Sequence, residues 1–112
     1  MSYRLSPVAE QDLEKIWSYV AEDSSADRAD RLVDAIVDRF DMLSEHPRMG
    51  RLRPEFGPGV RSFAVENHVI YYRQEERDVL IARVLHGSRD QTAAWEQSAD
   101  GGEDDARDEN RP

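Results

Sequence analysis

Apolar residues recur every three or four positions in the second quarter of the chain, and this pattern constrains the fold more than any other. Such spacing places the side chains on one face of a helix. The helix is predicted to begin in the segment SSAD, with Asp27 at the acidic position of a capping box. It should end near His46, because Pro47 disfavours helical geometry in the residue before it. The apolar face consists of Ala29, Leu32, Val33, Ile36, Val37, Phe40 and Leu43.

A second helix precedes this one. Ser6 and Pro7 form a start signal, since the hydroxyl can cap free N–H groups and proline suits the first helical position. Trp17 lies on the apolar face and is expected in the core, whereas Asp12 is assigned to the polar face. The short gap between the helices predicts an antiparallel hairpin. The apolar face of this first helix comprises Ala9, Leu13, Ile16, Trp17 and Val20.

Strand-like segments flank the helices and predict an α+β fold. A loop rich in proline and glycine follows the second helix, and short turns then join three segments as antiparallel neighbours. The expected architecture is an N-terminal helical hairpin packed on one face of a small antiparallel β-sheet. Residues 1–97 would form this domain, and residues 98–112 a disordered acidic tail, because the tail has no large aliphatic residue. The predicted strands are 3–6, 60–66, 68–74 and 79–86.

Charge is distributed unevenly along the 112 residues, whose formal net charge is −9. Residues 48–89 contain eight arginines and five acids, a net of +3, while both flanking regions are acidic. Binding of nucleic acid by the whole surface is therefore disfavoured, although local anion binding is not. The chain has no cysteine and three histidines, so a thiolate metal site is excluded and no metal or cofactor is expected. With no leader or apolar membrane span in view, a cytoplasmic location is expected.

The predicted sheet has two apolar faces, and one hairpin can cover only one of them. Strict alternation in the last strand would place Val79, Ile81 and Leu85 on one face and Leu80, Ala82 and Val84 on the other. If the registers agree, the uncovered face also carries Arg61, Arg73 and Arg83. An apolar surface with fixed cations is typical of a partner site. A homodimer, or a helical turn around Trp95, is the alternative cover.

Few residues suggest catalysis. In the segment HGSRD, His86 could serve as a general base and Arg89 as an anion clamp, but packing and local ion pairing explain them more simply. Phosphate loops, serine elbows and histidine–carboxylate metal spacings are absent from the sequence. Arg48, Arg51 and Arg53 are interpreted as exposed residues of the loop between helix and sheet.

Taken in order, the motifs resemble the ParE family of toxins from type II toxin–antitoxin modules, within the RelE/ParE superfamily. The resemblance rests on the segments SPVAEQDLEKIW, HPRMGRLRPE, VRSFAVENHVIYYR and VLIARVLHGSRD, and spans residues 3–95. It implies a ParD-like antitoxin as partner and DNA gyrase as target, poisoned without catalysis by the toxin. Operator DNA would be bound only through the antitoxin complex. The residues proposed for partner binding are Arg61, Phe63, Tyr71, Arg73, Arg83, His86 and Arg89.

Two other functions are compatible with the same resemblance. The RelE branch cleaves mRNA on the ribosome with basic groups around the scissile phosphate and a terminal tyrosine or histidine. This chain has one lysine, Lys15, on the first helix, and no tyrosine after Arg89, which disfavours that activity. A binding module that has lost its toxicity is the other alternative. The acidic tail is interpreted as a solvated extension, or else as an internal mimic of an acidic antitoxin.

Overall fold

A computed structural model describes residues 2–87. Two helices and five strands confirm the α+β class, but only four strands were predicted, because Arg51–Leu52 lies in the segment that was predicted as a loop. Trp95, Arg89 and the acidic tail lie outside the described residues. The elements are β1 (Ser2–Leu5), α1 (Pro7–Asp23), α2 (Ala26–Glu45), β2 (Arg51–Leu52), a short 3-10 helix (Pro54–Phe56), β3 (Val60–Val65), β4 (His68–Gln74) and β5 (Asp78–His86).

Serine side chains start both helices. The Ser6 hydroxyl accepts a hydrogen bond from the Ala9 backbone N–H at 3.0 Å, with Pro7 in the first turn, as predicted. The cap of α2 is Ser25, which accepts from the Arg28 N–H at 3.1 Å. The capping box that began at Ser24 was therefore wrong by one residue, because Ser24 closes the end of α1 instead.

The end of α2 agrees with the prediction. His46 is the C-cap, and its N–H donates to the Met42 carbonyl. Pro47 follows immediately, where it excludes helical geometry in the residue before it. Neither helix within residues 2–87 is long and apolar enough to cross a membrane.

The five strands form one mixed sheet in the order β1-β5-β4-β3-β2. Strands β2 to β5 pair antiparallel, but β1 pairs parallel with β5. The prediction that the N-terminal segment joins the sheet is confirmed, and the sheet is mixed rather than wholly antiparallel. The chain between β1 and β5 includes both helices, so this parallel pair has the long connection that it requires.

A bulge in β5 changes which residues face the helices. Tyr71 pairs with Arg83 whereas Tyr72 pairs with Ile81, so Ala82 is an extra residue. An extra residue reverses the alternation beyond it. Consequently Val84, and not Leu85, joins Ile81 and Val79 in the core beneath the helices. The strict alternation predicted for this strand was wrong for that reason.

The main core lies between the helical hairpin and the sheet, as predicted. Tyr3 contacts the Phe40 ring edge-on, with ring centroids 5.3 Å apart. Trp17 is not part of this core, because 38% of its surface is exposed and its indole N–H donates to Asp30 at 2.8 Å. Its assignment to the core was wrong. The buried members are Ala9, Ile36, Phe40, Leu43, Val65, Ile70, Tyr72, Val79, Ile81 and Val84.

A second, smaller cluster lies apart from the main core. It contains Phe56, Val60, Tyr71 and Leu85, with Val69 packed against it. Phe56 comes from the segment between α2 and β3 and meets Tyr71 edge-on, with centroids 5.2 Å apart. That segment therefore covers part of the sheet face that had been expected to remain open for a partner.

Candidate partner-binding groove and arginine crossover

An open groove of about 810 Å³ runs between the helical hairpin and one end of the sheet. Both helices line it, together with the β3–β4 turn and the last residues of β5. Its lining combines three kinds of side chain. They are apolar (Ile16, Val20, Leu32, Val84 and Leu85), basic or imidazole (Lys15, Arg28, Arg31, His68 and His86), and acidic (Asp12, Asp23 and Glu66).

The groove exists because α1 is only partly used by the core. Ile16 and Leu13 pack against the core while remaining half-buried. Val20 is half-buried too, and Tyr19 beside it is 69% exposed. An apolar surface that ends in an aromatic side chain with a polar tip is typical of protein interfaces. Ile16 and Val20 of the apolar face of α1 thus line this groove, while Ala9 lies in the main core.

Asp12 fixes the start of α1 to the edge of β5. Its two carboxylate oxygens accept from Nε and Nη2 of Arg83, each at 2.8 Å, and one oxygen also accepts from the Val84 N–H at 3.0 Å. Such a two-point pair is geometrically specific. Ser6 adds a bond from its hydroxyl to the Ala82 carbonyl. Because β1 pairs only as far as Ile81, these side chains satisfy the strand edge beyond it.

This arrangement bears on two predictions, one for Asp12 and one for Arg83. Asp12 was assigned to the solvated face of α1, but it is buried. A signal for this existed in the sequence, since position 12 lies three residues after Ala9 and four before Ile16, on the apolar stripe. Arg83, which was proposed for partner binding, pairs through its guanidinium with Asp12 inside the fold.

His68 and His86 lie side by side in the groove. Their ring centroids are 5.1 Å apart at an edge-on angle, as expected for directly paired residues of β4 and β5. His68 is only 8% exposed, and its Nδ1 has no hydrogen-bond partner within residues 2–87. Burial lowers the pKa of His68, and the neighbouring His86 lowers that pKa further, while Glu66 opposes the change.

The segment between α2 and β3 is held by the Tyr72 hydroxyl, and we call residues 47–59 the crossover. This hydroxyl accepts from the Gly50 N–H at 2.8 Å and donates to the Pro47 carbonyl at 2.9 Å. Burial raises the pKa of Tyr72. A Cβ on Gly50 would lie 2.4 Å from the Tyr72 oxygen and 2.8 Å from the Ser62 carbonyl oxygen, so the close approach requires glycine.

Arg61 and Arg53 hold the crossover in different ways. Nη1 of Arg61 donates to the Gly50 carbonyl at 2.8 Å and to the Arg48 carbonyl at 3.4 Å. The Arg53 guanidinium lies over the Phe56 and Tyr71 rings, 5.1 and 5.9 Å from their centroids, a cation–π arrangement. Arg53 was expected to be exposed, and this contact with the second cluster is what sequence reasoning missed.

The pKa values of one carboxyl group, on Glu55, and one hydroxyl group, on Tyr71, are shifted at this cluster. A hydrogen bond from Arg53 at 2.8 Å lowers the pKa of the exposed Glu55. Burial raises the pKa of Tyr71, against the opposing influence of Arg53. Arg48 and Arg51, by contrast, are exposed, as predicted.

The residues proposed for partner binding do not form one surface. Arg61 pairs with Tyr72, and Phe63 packs against the main core, so both lie on the helix side of the sheet. Arg73 pairs with Val60, and Arg83 with Tyr71, both members of the second cluster. The expectation that Arg61, Arg73 and Arg83 share a face was therefore wrong in its register. Tyr71 is fully buried, Arg73 pairs with Glu75 at 3.0 Å, and His86 lies in the groove.

The part of the chain that the structure describes contains no cluster of three or more histidine, cysteine or acidic side chains suited to a metal ion. The groove combines half-buried apolar side chains with basic ones, and the arginine-rich crossover lies elsewhere, fixed to the sheet.

Comparison with known proteins identifies relatives along nearly the whole described chain. Residues 3–91 match the family described as "ParE toxin of type II toxin-antitoxin system, parDE". The toxin ParE1 of Mycobacterium tuberculosis is 33% identical over 89 residues, which cover 79% of this chain and 91% of the relative. The toxin ParE1 of Caulobacter vibrioides is 37% identical over 86 residues, covering 77% and 88%.

A third relative carries a different name, and a solved structure shares the fold. The toxin RelE3 of Caulobacter vibrioides is 34% identical over 88 residues, covering 76% of this chain and 92% of the relative. A chain of the chromosomal ParDE TA system from P. aeruginosa superposes with a TM-score of 0.68 at 25% identity. That match covers 77% of this chain and 95% of the solved one.

Proposed function

The chain belongs to the ParE toxin family of type II toxin–antitoxin systems, and from this premise we propose that a ParD-like antitoxin neutralises it and that its target is DNA gyrase. It would inhibit gyrase by binding, with no catalysis of its own. The observation that carries the antitoxin partnership is the open groove, whose half-buried Ile16 and Val20 offer an apolar face beside basic side chains. An amphipathic segment that folds on binding fits such a surface.

Inhibition by binding is supported by the way the arginines are used. Catalysis of the RelE type requires basic groups that are arranged around a scissile phosphate. Here Arg83 is engaged by the Asp12 carboxylate, and Arg61 donates to backbone carbonyls of the crossover. Both side chains therefore have structural partners that a phosphate would have to displace.

A supercoiling assay with purified gyrase tests the target. The full chain should inhibit supercoiling and cause cleaved DNA to accumulate, and added antitoxin should reverse both effects. Unchanged supercoiling together with no cleaved DNA would refute the gyrase proposal. Normal growth of cells that express the chain without antitoxin would instead favour a non-toxic binding module.

Substitution in the groove tests the antitoxin partnership. Val20→Glu should weaken antitoxin binding at least tenfold, because it adds a charge where the partner's apolar face would pack. Gln11→Glu is the matched control, since it adds the same charge on the same helix at an exposed position away from the groove. Equal affinities of the two variants, measured by calorimetry, would exclude the groove as the antitoxin site.

A ribosome-dependent ribonuclease is the second candidate, and the RelE3 relative is the observation that favours it. We expect Arg61→Ala and His86→Ala each to leave growth inhibition largely intact, provided that the variants fold. Sequencing of mRNA ends after induction of the toxin checks this expectation. Codon-specific cuts that are present with the unaltered chain and absent with these variants would establish the nuclease instead.

The remaining parts of the proposal concern location and the acidic tail. Gyrase and operator DNA, the latter bound only through the antitoxin complex, would place the protein's action in the cytoplasm. Residues 1–97 would suffice as the toxin domain, with residues 98–112 as a solvated extension. Deleting the residues after Gln97 should then leave the affinity for antitoxin unchanged, whereas tighter binding would indicate that the tail competes for the same groove.

A further inference from the structure

The paired histidines of the groove are unusual in how unequal their surroundings are. His68 is almost completely buried, while His86, its direct cross-strand neighbour, is exposed. A buried polar atom normally has a hydrogen-bond partner, yet Nδ1 of His68 has none within the described part of the chain. The site lies in the lining of a groove that is open to a partner. It is therefore incomplete in a specific way, at one nitrogen of a ring that can take up a proton.

The charges around His68 indicate which partner group would complete the site. Asp12 is neutralised by Arg83, so the groove presents three cationic side chains against two other carboxylates. This balance favours an acidic occupant. The titratable and charged groups that surround the histidine pair are Glu66 in the β3–β4 turn, His86 on β5, Asp12, Lys15, Tyr19 and Asp23 on α1, and Arg28 and Arg31 on α2.

We propose that the groove binds an amphipathic segment of the antitoxin that places a carboxylate beside His68 and His86, and that this binding takes up a proton. The inference rests on the antitoxin partnership proposed above and adds the contact that governs its pH dependence. In the free chain, burial disfavours the charged form of His68 and lowers its pKa, and no residue from 2 to 87 provides a hydrogen-bond partner for Nδ1. A carboxylate next to the ring stabilises the imidazolium, so the complex holds a proton that the free chain does not.

The direction of the pH effect follows from linkage. A group that has a higher pKa in the complex than in the free chain makes binding tighter as pH falls between those two pKa values. For one proton, affinity rises by up to about tenfold for each pH unit in that window. Above the higher pKa and below the lower one, affinity does not change with pH through this group. Lowered by burial in the free chain, the pKa of His68 sets the acidic limit of the window.

The experiment uses the full chain and, as its probe, the protein encoded by the reading frame adjacent to this gene. Calorimetry in two buffers of different protonation enthalpy measures the protons taken up on binding. We expect net uptake for the unaltered chain at pH values between the pKa of His68 in the free chain and its pKa in the complex, and the loss of most of that uptake in His68→Gln. His46→Gln is the matched control, because His46 caps α2 outside the groove and should leave proton uptake unchanged.

Nuclear magnetic resonance of the unaltered chain keeps the test independent of whether His68→Gln folds. The His68 ring should titrate below its ordinary range in the free chain and at higher pH in the complex. His86→Gln provides a second variant at an exposed position. It should raise the pKa of His68 in the free chain and so reduce the difference between the His68 pKa values of the free chain and the complex.

The outcomes separate this inference from the proposed function. A complex that forms with equal proton uptake in the unaltered chain and in His68→Gln would overturn the carboxylate contact and leave the antitoxin partnership standing. A His68 pKa that does not rise on binding would do the same. If the adjacent protein does not bind the unaltered chain at all, the antitoxin partnership fails, and the inference fails with it.

Discussion

The groove and the crossover are both lined by cations and aromatic or apolar side chains, but they differ in how completely their polar groups are satisfied. In the crossover, one tyrosine hydroxyl engages both Gly50 and Pro47, and Arg61 engages two carbonyls. In the groove, Nδ1 of His68 has no hydrogen-bond partner among residues 2–87, and apolar side chains remain half-buried. We infer from this comparison that incomplete packing indicates the proposed binding surface better than richness in arginine does.

The same comparison applies to Arg61 and Arg83, two arginines of the sheet that were predicted to bind a partner. Arg83 lies close to the groove, yet its charge is used to join α1 to β5. Arg61 lies at the crossover and fixes the path of the loop. Both residues act as internal supports, and each is therefore better suited to measuring stability than to measuring recognition.

The largest effect on stability is expected at the support beneath the groove. Asp12→Asn keeps one oxygen for the Val84 N–H but removes the carboxylate charge that pairs with the Arg83 guanidinium in a largely buried site. Breaking a buried pair in this way costs about 3–5 kcal/mol. Denaturant unfolding should show a loss of that order, and Glu14→Gln on the exposed side of α1 should lose less than about 0.5 kcal/mol. Equal losses would mean that the pair is no support.

Asp12 also shows where sequence reasoning succeeded and where it stopped. Helix caps, turn residues and apolar periodicity are local, so Ser6, Pro7, His46 and the antiparallel succession of β3, β4 and β5 could be predicted. The pairing of Asp12 with Arg83 joins residues 71 positions apart, and no local pattern specifies it. The bulge at Ala82 is likewise a property of two strands together, and it reversed the expected positions of Val84 and Leu85.

The candidate site was predictable to a smaller extent than the fold. His86 was identified and lies in the groove, whereas the burial of His68 could not be predicted, because it depends on α1, α2 and β5 together. Trp17 was placed in the core since it shares the apolar stripe, and a hydrogen bond with Asp30 holds it at the surface instead. A side chain at the margin of an apolar stripe can lie either in the core or at the surface, and the packing of the neighbouring elements determines which.

The crossover provides the second largest expected effect. Gly50→Ala places a methyl group 2.4 Å from the Tyr72 hydroxyl oxygen and 2.8 Å from the Ser62 carbonyl, so the loop must move away from the sheet. Overpacking of this kind costs about 1–3 kcal/mol, and the two hydrogen bonds of Tyr72 are strained with it. Thermal unfolding should show the loss, while antitoxin affinity stays unchanged, because the groove lies apart from the crossover.

Gly59→Ala is the matched control for that loss. The same methyl group meets no atom within 4 Å at this position, and only the positive φ of 75° opposes it, at a cost of about 1 kcal/mol. A Gly50→Ala variant as stable as Gly59→Ala would show that the Tyr72 contact does not determine the path of the crossover. A Gly50→Ala variant that loses antitoxin affinity would show that the two regions are not independent.

The smallest effect distinguishes the two regions by pH. Because the pKa of His68 is lowered in the folded chain, the unfolded chain binds more protons in the window between that pKa and the unfolded value of about 6.5. The contribution of His68 to the free energy of unfolding should therefore be complete above about pH 6.5 and decline as pH falls through the window. The slope of that decline is limited to about 1.4 kcal/mol per pH unit for one group. Urea unfolding of the full chain between pH 7.5 and pH 5 would measure it.

His68→Gln should flatten this decline, whereas His46→Gln should not, since no buried nitrogen is removed with His46. An equal slope in both variants would assign the decline to other groups and remove the contrast between an unsatisfied groove and a satisfied crossover. A flattened slope in His68→Gln would instead show that His68 causes the loss of stability of the free chain at acidic pH. His68 is also the residue beside which an acidic partner is proposed to bind. Stability and recognition would then depend on the same proton.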